Sequence, residues 1–143
     1  MALDLQLVRE ISASNGGLAV VSATRADGSI HSSLVNAGIA DHPAGGLALA
    51  TVVRSSARKL ALWRTRPHAT AAFSHRWQWV SVEGTVTIYG PDDLAHPDLP
   101  GLLRAVFTAA GGSHDNWDEY DRVMAEERRA VVAISPTRTL TNG

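Results

Sequence analysis

The sequence predicts a single mainly-β domain over residues 1–143: a small six-stranded antiparallel barrel with peripheral helices. Six segments show the alternation or the short apolar run of a strand. Turns and hairpins join most of them, and no repeated strand–helix–strand units appear, which favours antiparallel over parallel pairing. The length of 143 residues and the hydrophobic content of 45% suit one domain with its own core.

The first half of the chain is predicted to form a helix followed by three strands. Leu7, Val8 and Ile11 give residues 4–14 an apolar helical face, which ends at Asn15-Gly16-Gly17. A turn at Ala26-Asp27-Gly28 predicts a hairpin, and Asp41 to Gly46 predicts a second turn. The strands predicted around these turns are 18–24, 30–36 and 47–53.

The second half alternates strands with helices. Ser55 or Ser56 is the predicted N-cap of a helix that runs to about Arg64, just before Pro67. Gly84, in the middle of a clearly alternating strand, indicates a bulge or a close backbone approach. The remaining predicted elements are strands 69–74, 79–89 and 130–134 and helices near 102–110 and 116–129.

Composition excludes several classes of site. The chain has no cysteine, so disulfides, thiol nucleophiles and thiolate metal sites are ruled out. No phosphate-binding glycine loop or nucleophile elbow occurs, and the histidines lack metal-ligand spacing, so no metal site is expected. No signal-peptide pattern and no run of about 20 apolar residues is present, so we expect a cytoplasmic protein without a membrane partner.

A cationic segment without carboxylates is the most informative feature of the chain. No Asp or Glu lies between Asp41 and Glu83, and Lys59 is the only lysine. Cations in the first turn of a helix oppose its dipole by roughly 0.3–1 kcal/mol each, unless an anion lies between them and the free amides. We therefore predict a phosphate site, against the alternative that the cations are simply solvated. The cations of the segment are Arg54, Arg58, Lys59, Arg64, Arg66 and Arg76.

Tryptophans accompany this segment. Trp63 has the spacing of a core residue, whereas Trp77 and Trp79 are predicted to share one side of a strand. They could stack on nucleic-acid bases, form a wall for a planar aromatic cofactor, or contact a second subunit. The net charge of −1 disfavours the first option, so no nucleic-acid partner is expected. The acidic run 115–127 is interpreted as a solvated helix face.

The stretch from Thr51 to Lys59, with Trp63 and Pro67 after it, resembles the split-barrel flavin- and deazaflavin-binding family that includes pyridoxamine 5'-phosphate oxidase. The Glu83-Gly84 pair that follows Trp79 resembles a later strand of that family. The resemblance implies an FMN-binding type of split barrel and a homodimer with cofactor sites at the subunit interface. It implies phosphate contacts from Arg54, Ser56, Arg58 and Lys59. It also implies that Ser33, Leu34, Val35, Asn36 and Thr51 line the ring and ribityl chain, with Trp79 as a candidate wall.

The chain departs from the oxidase branch, because Ser32 to Asn36 lacks that branch's basic residue and the C-terminal pyridoxal-phosphate ligands are missing. Its length and arginine-rich turn look closer to the branch that uses coenzyme F420, a deazaflavin. The resemblance thus implies an oxidoreductase that transfers hydride to an unsaturated small-molecule substrate. An FMN-dependent reductase or oxidase, and a non-catalytic flavin, deazaflavin or haem carrier, are the alternatives. No catalytic residue is assigned, since solvent, His31 or His75 could each supply a proton.

Overall fold

The computed structural model describes residues 3–143, which form four helices and six strands. The helices are α1 (Leu5–Asn15), α2 (Arg58–Thr65), α3 (Leu99–Ala109) and α4 (Trp117–Glu126). The strands are β1 (Leu18–Thr24), β2 (Ile30–Asp41), β3 (Leu47–Arg54), β4 (His68–His75), β5 (Gln78–Tyr89) and β6 (Arg129–Thr141).

The six strands close into an antiparallel barrel in the order β1-β2-β3-β6-β5-β4, so the predicted fold class is confirmed. Apolar residues from alternate strand positions fill the interior, as the two-residue period of a strand requires. Helices α1 and α2 pack onto this core through Val8, Leu60 and Trp63. Trp63 is 1% exposed, which confirms its predicted place in the core.

Two strands are longer than their sequence patterns predicted. β2 continues to Asp41 because its second half pairs with β3, and β6 continues to Thr141 because it follows β5 to its start. The β5–β6 register shifts at Glu83/Gly84, where β6 holds one extra residue. A Cβ on Gly84 would collide with the carbonyl oxygen of Ser135. The irregularity and the close approach predicted at Gly84 are therefore both present.

The predicted serine cap of α2 is wrong. The N-cap is Ala57, which has an extended backbone and no side-chain capping bond. Ser55 instead continues the course of β3: its N–H donates to the Arg128 carbonyl at 3.0 Å, and its side chain is buried. The helix consequently starts at Arg58, three residues after Ser55.

The boundaries of α3 and α4 also differ from expectation. α3 begins at Leu99 because the Asp98 carboxylate accepts from the Gly101 N–H and Pro100 suits the first turn. α4 ends at Glu126 rather than near Arg129, because Arg128 turns into β6 with a φ of 50°. Both helices cover the outer face of β2, β3 and β6 and enclose a second apolar cluster around Val106 and Tyr120.

An opening in the barrel wall sets the position of the site. β2 pairs with β1 over residues 30–36 but with β3 only from Ala37 onward. Within residues 3–143, no strand pairs with the other edge of β2 over 30–36. The end of β3 and the start of α2 lie across this gap, and α3 closes over Gly38, where a Cβ would collide with the Ala109 carbonyl.

Candidate functional site

A groove of about 480 Å³ occupies the gap between β2 and the end of β3. This volume is within the usual range for a small-molecule site, about 300–1,000 Å³. One wall comes from β2, the floor from β3 and α2, and the other wall from α3, α4 and the start of β6. The main lining residues are Leu34, Val35, Asn36, Val52, Val53, Lys59, Phe107, Tyr120, Met124 and Arg129.

Lys59 supplies an ammonium group to the groove. Its Nζ donates to Ser33 Oγ at 3.0 Å, which fixes the amine against β2. Burial lowers the pKa of Lys59 below its ordinary value. Among residues 3–143, no carboxylate lies within ion-pair distance of it. The cation is thus held in the groove without a neutralising partner, as an anion-binding residue would be.

The first turn of α2 leaves backbone donors open beside this amine. The first amides of a helix have no intrahelical acceptor, and no side chain caps them here. The turn contains no acidic residue. The side chains of Ser56 and Arg58 are both exposed, and Arg58 forms no ion pair within the described part of the chain. This end of α2 therefore presents only donors and positive charge.

Three of the other predicted cations, Arg54, Arg64 and Arg66, have partners that lie far away in sequence. The Arg54 guanidinium donates to Glu127 Oε2 at 2.8 Å, and Arg64 donates to both Asp93 oxygens at 2.8 and 2.9 Å. Arg66 donates to the Thr24 carbonyl at 3.0 Å. Arg54 thus lies near the site but is already paired with a carboxylate. Arg64 and Arg66 bind Asp93 and the Thr24 carbonyl and do not line the groove.

The predicted β2 residues are held in a fixed position. Leu34, Val35 and Asn36 all line the groove. The Asn36 amide donates to the Gly16 carbonyl at 2.9 Å, and the Asn36 carbonyl accepts from Thr51 Oγ1 at 2.7 Å. Thr51 itself is 2% exposed. Thr51 therefore positions β2 from within the barrel and does not line the groove.

The tryptophans lie outside this groove. Trp79 lies on the outer face of β5 beside Ser74 of β4, and Asn142 accepts from its backbone N–H. The prediction that Trp77 shares a strand face with it is wrong, because Trp77 belongs to the turn before β5 and is 92% exposed. His31 lies on β2 two residues before Ser33, and its buried Nδ1 has no partner among the described residues. His75 ends β4 in an exposed position.

The α3–α4 wall was missed by the sequence analysis. Phe107 and Tyr120 have ring centroids 4.9 Å apart, and Met124 lies one turn after Tyr120. The Tyr120 hydroxyl donates to the Leu103 carbonyl at 3.2 Å, and burial raises the pKa of Tyr120 to about 12. Arg129 also lines the groove. The apolar faces of the two predicted helices were the available signal, but nothing in the sequence placed them over β2.

Much of the acidic run 115–127 is paired with arginines. The Asp121 carboxylate accepts from Arg104, which lowers the pKa of Asp121. Hydrogen bonds from Arg129 and then Arg54 lower the pKa of Glu127. Residues 3–143 contain no cluster of three potential metal ligands. They also contain no helix long and apolar enough to cross a membrane.

The chain matches no known family model, but its fold occurs in solved structures. An F420 reductase is 15% identical, with a TM-score of 0.59 over 86% of this chain and 88% of that chain. A pyridoxamine 5'-phosphate oxidase-related, FMN-binding protein from Nostoc punctiforme is 12% identical, with a TM-score of 0.62 over 99% and 86%. A haem-binding protein from Mycobacterium smegmatis is 17% identical, with a TM-score of 0.66 over 97% and 53%. The likeness establishes the split-barrel fold that sequence resemblance had implied.

Proposed function

We propose that this split-barrel chain is a coenzyme F420-dependent oxidoreductase that uses the groove beside Lys59 as its cofactor site. The observation that carries the proposal is the half-buried, unneutralised ammonium group of Lys59 beside the uncapped start of α2. An anionic cofactor tail would supply the missing negative charge. The similar folds of an F420 reductase and an FMN-binding protein support the choice of cofactor class.

The groove residues fit such a cofactor. Lys59, Arg58 and the first amides of α2 would hold the phosphate, with Ser56 as a further donor at the same end. Leu34, Val35 and Asn36 would lie along the ring system, on a strand fixed by the Thr51 hydrogen bond. When bound, the deazaflavin would supply hydride transfer to an unsaturated organic substrate. The protein residues would orient the two molecules and exclude water from one side.

We propose that the enzyme is a homodimer in which a second copy of the chain covers the outer face of the barrel. A row of paired positions crosses five strands there: Leu34, Val20, Ala72, Ser81 and Leu140. Leu34 is 69% exposed, Leu140 43% and Val20 42%, so the row leaves apolar surface in water. Because Leu34 also lines the groove, a subunit on this face would border the cofactor site.

The proposal is tested by titrating the purified protein with coenzyme F420 and, separately, with FMN, and by following the fluorescence of each. We expect the deazaflavin to bind more tightly, and Lys59→Ala to weaken it at least tenfold, about 1.4 kcal/mol. Arg9→Ala is the matched control, because Arg9 is an exposed cation on α1 outside the groove lining. Equal affinities of the wild type and Lys59→Ala would remove Lys59 from the site.

The same titration separates the alternatives. Preferential FMN binding would favour a flavin reductase or oxidase, as would a yellow purified protein. Tight binding of either cofactor without reduction of enones, quinones or tetrapyrroles would favour a carrier. Haem binding in place of both would overturn the oxidoreductase proposal.

A further inference from the structure

The α4 side of the groove carries a second cation, Arg129, that the cofactor proposal does not use. Its side chain is 26% exposed, and Nε donates to Glu127 Oε1 at 3.0 Å. The two terminal nitrogens carry four further N–H bonds. Among residues 3–143, these nitrogens form no hydrogen bond.

Arg129 shares its carboxylate partner with a second arginine. One carboxylate, Glu127, is shared by two guanidinium groups: Oε2 accepts from Arg54 at 2.8 Å and Oε1 accepts from Arg129. Glu127 therefore neutralises only one of these two guanidinium groups, and Asp121, the α4 carboxylate that lines the adjoining cavity, is already paired with Arg104. The end of a guanidinium group binds a carboxylate through two parallel hydrogen bonds, so the free end of Arg129 has the geometry for one more acid group.

The surroundings of Arg129 are apolar and aromatic. Phe107, Tyr120 and Met124 line the same wall, and the Tyr120 hydroxyl is already bonded to the backbone. Tyr120 is 4% exposed and packs against Phe107, so Phe107 and Met124, which are both partly exposed, are the apolar side chains available for contact with a ligand. Met124 and Arg129 also line a second cavity of about 200 Å³ between α3 and α4, which extends the apolar surface past Leu103.

We propose that Arg129 and this aromatic wall form the substrate subsite, and that the substrate is a flat apolar molecule bearing a carboxylate. The inference deepens the proposed function and rests on the groove being the redox site. The carboxylate docks on the terminal nitrogens of Arg129, which sets the apolar body against Phe107 and Met124. Lys59, which is held against Ser33 of β2, remains available for the cofactor.

The test uses 2-naphthoate and its neutral analogue 2-naphthamide, titrated by calorimetry into the protein without coenzyme. We expect the acid to bind about tenfold more tightly than the amide, and Arg129→Gln to abolish the difference. Arg122→Gln is the matched control: Arg122 lies on α4, is exposed and pairs only with Glu126. It should keep the preference for the acid.

Several outcomes would overturn the subsite. They are equal binding of acid and amide by the wild type, no binding of the acid, or a preference that survives Arg129→Gln. Loss of the preference in Lys59→Ala instead would place the acid at Lys59. If Arg129→Gln fails to fold, equal binding by the wild type would still overturn the subsite, and a preference for the acid that persists in Lys59→Ala would support it.

Coenzyme titration separates this inference from the proposed function. Arg129→Gln should retain wild-type F420 affinity within about threefold, whereas a tenfold loss would assign Arg129 to the cofactor tail and overturn the subsite. A wild-type protein that binds 2-naphthoate selectively but not F420 would overturn the cofactor and leave the subsite standing.

Discussion

At the scale of single residues, Lys59 is the group whose environment most constrains the chemistry of the groove. The amine is partly removed from water and held by one neutral hydroxyl, Ser33 Oγ. Removal from water disfavours the charged form, so the pKa of Lys59 lies below the ordinary 10.5. The charge that would bind the cofactor is therefore lost at a lower pH than in an exposed lysine.

We expect the affinity for F420 to fall as the pH rises through the lowered pKa of Lys59, beginning below 10.5. The sign follows because only the protonated amine attracts the anionic tail. Titrations between neutral pH and pH 10.5 measure the effect. Lys59→Arg is the control, since a guanidinium group keeps its charge over this range and should give a flatter profile. Identical pH profiles for the wild type and Lys59→Arg would mean that a group other than Lys59 causes the change in affinity.

The same shift has a consequence for folding. A lysine whose pKa is lower in the folded than in the unfolded chain binds fewer protons when folded. Stability should then rise with pH between the lowered pKa of Lys59 and 10.5. Affinity and stability thus move in opposite directions over one pH range, which distinguishes loss of the Lys59 charge from general alkaline unfolding.

Local sequence was enough to place Lys59 at a helix start after a strand, and the family resemblance added the segment from Leu34 to Asn36; the structure brings both into the lining of one groove. Local sequence was not enough to predict the ion pairs of Arg54 and Arg64. Their carboxylate partners, Glu127 and Asp93, lie 73 and 29 residues away. Ion pairs over such separations depend on the closed barrel, and no short-range pattern predicts them.

At the scale of elements, α2 begins without the side-chain capping hydrogen bond that would stabilise its first turn. A serine, threonine or aspartate at the N-cap typically stabilises a helix by about 1 kcal/mol, yet Ala57 occupies this position. The backbone of Ala57 is already extended, with φ −63° and ψ 141°, as an N-cap requires. Helix stability at this end is lower than it could be, and the free amides remain open to a ligand.

Ala57→Asp should therefore raise the free energy of unfolding by about 1 kcal/mol and weaken F420 binding at least tenfold. The new carboxylate would accept from the α2 amides and place negative charge where the cofactor anion binds. Ala57→Ser is the matched control: it adds a cap without charge and should weaken binding less. Denaturant unfolding and fluorescence titration measure the two effects. An Ala57→Asp protein with unchanged affinity would exclude the start of α2 from the site.

Elements that depend on distant partners were the least predictable. The pattern of β6 was clear to Ile134, but the strand reaches Thr141 because β5 offers a partner along its whole length. The α3–α4 wall, with Phe107, Tyr120 and Arg129, was missed for a related reason. Helix faces show that these residues pack against something, but only the assembled sheet shows that they meet β2 and Lys59.

At the scale of the whole molecule, the proposed homodimer rests on the exposed apolar side chains of the outer face, Val20 and Leu34 among them. We expect Val20→Lys to convert a dimer into a monomer, because it places a charge in the middle of the apolar row. Size-exclusion chromatography with light scattering would show the mass halved. Leu94→Lys is the control, since Leu94 is 56% exposed but lies in the segment after β5, outside the row. A monomeric wild type would contradict the dimer directly.

The position of β6 between β3 and β5 has a consequence for biosynthesis. Until residues 129–141 have emerged from the ribosome, β3 and β5 each present an unsatisfied edge, and neither can pair with the other. From the completion of β5 at Tyr89 until β6 is available, the nascent chain must therefore keep two unpaired strand edges away from neighbouring chains on the polysome. We therefore expect this topology to increase the dependence on chaperones during translation rather than to lower the stability of the folded protein.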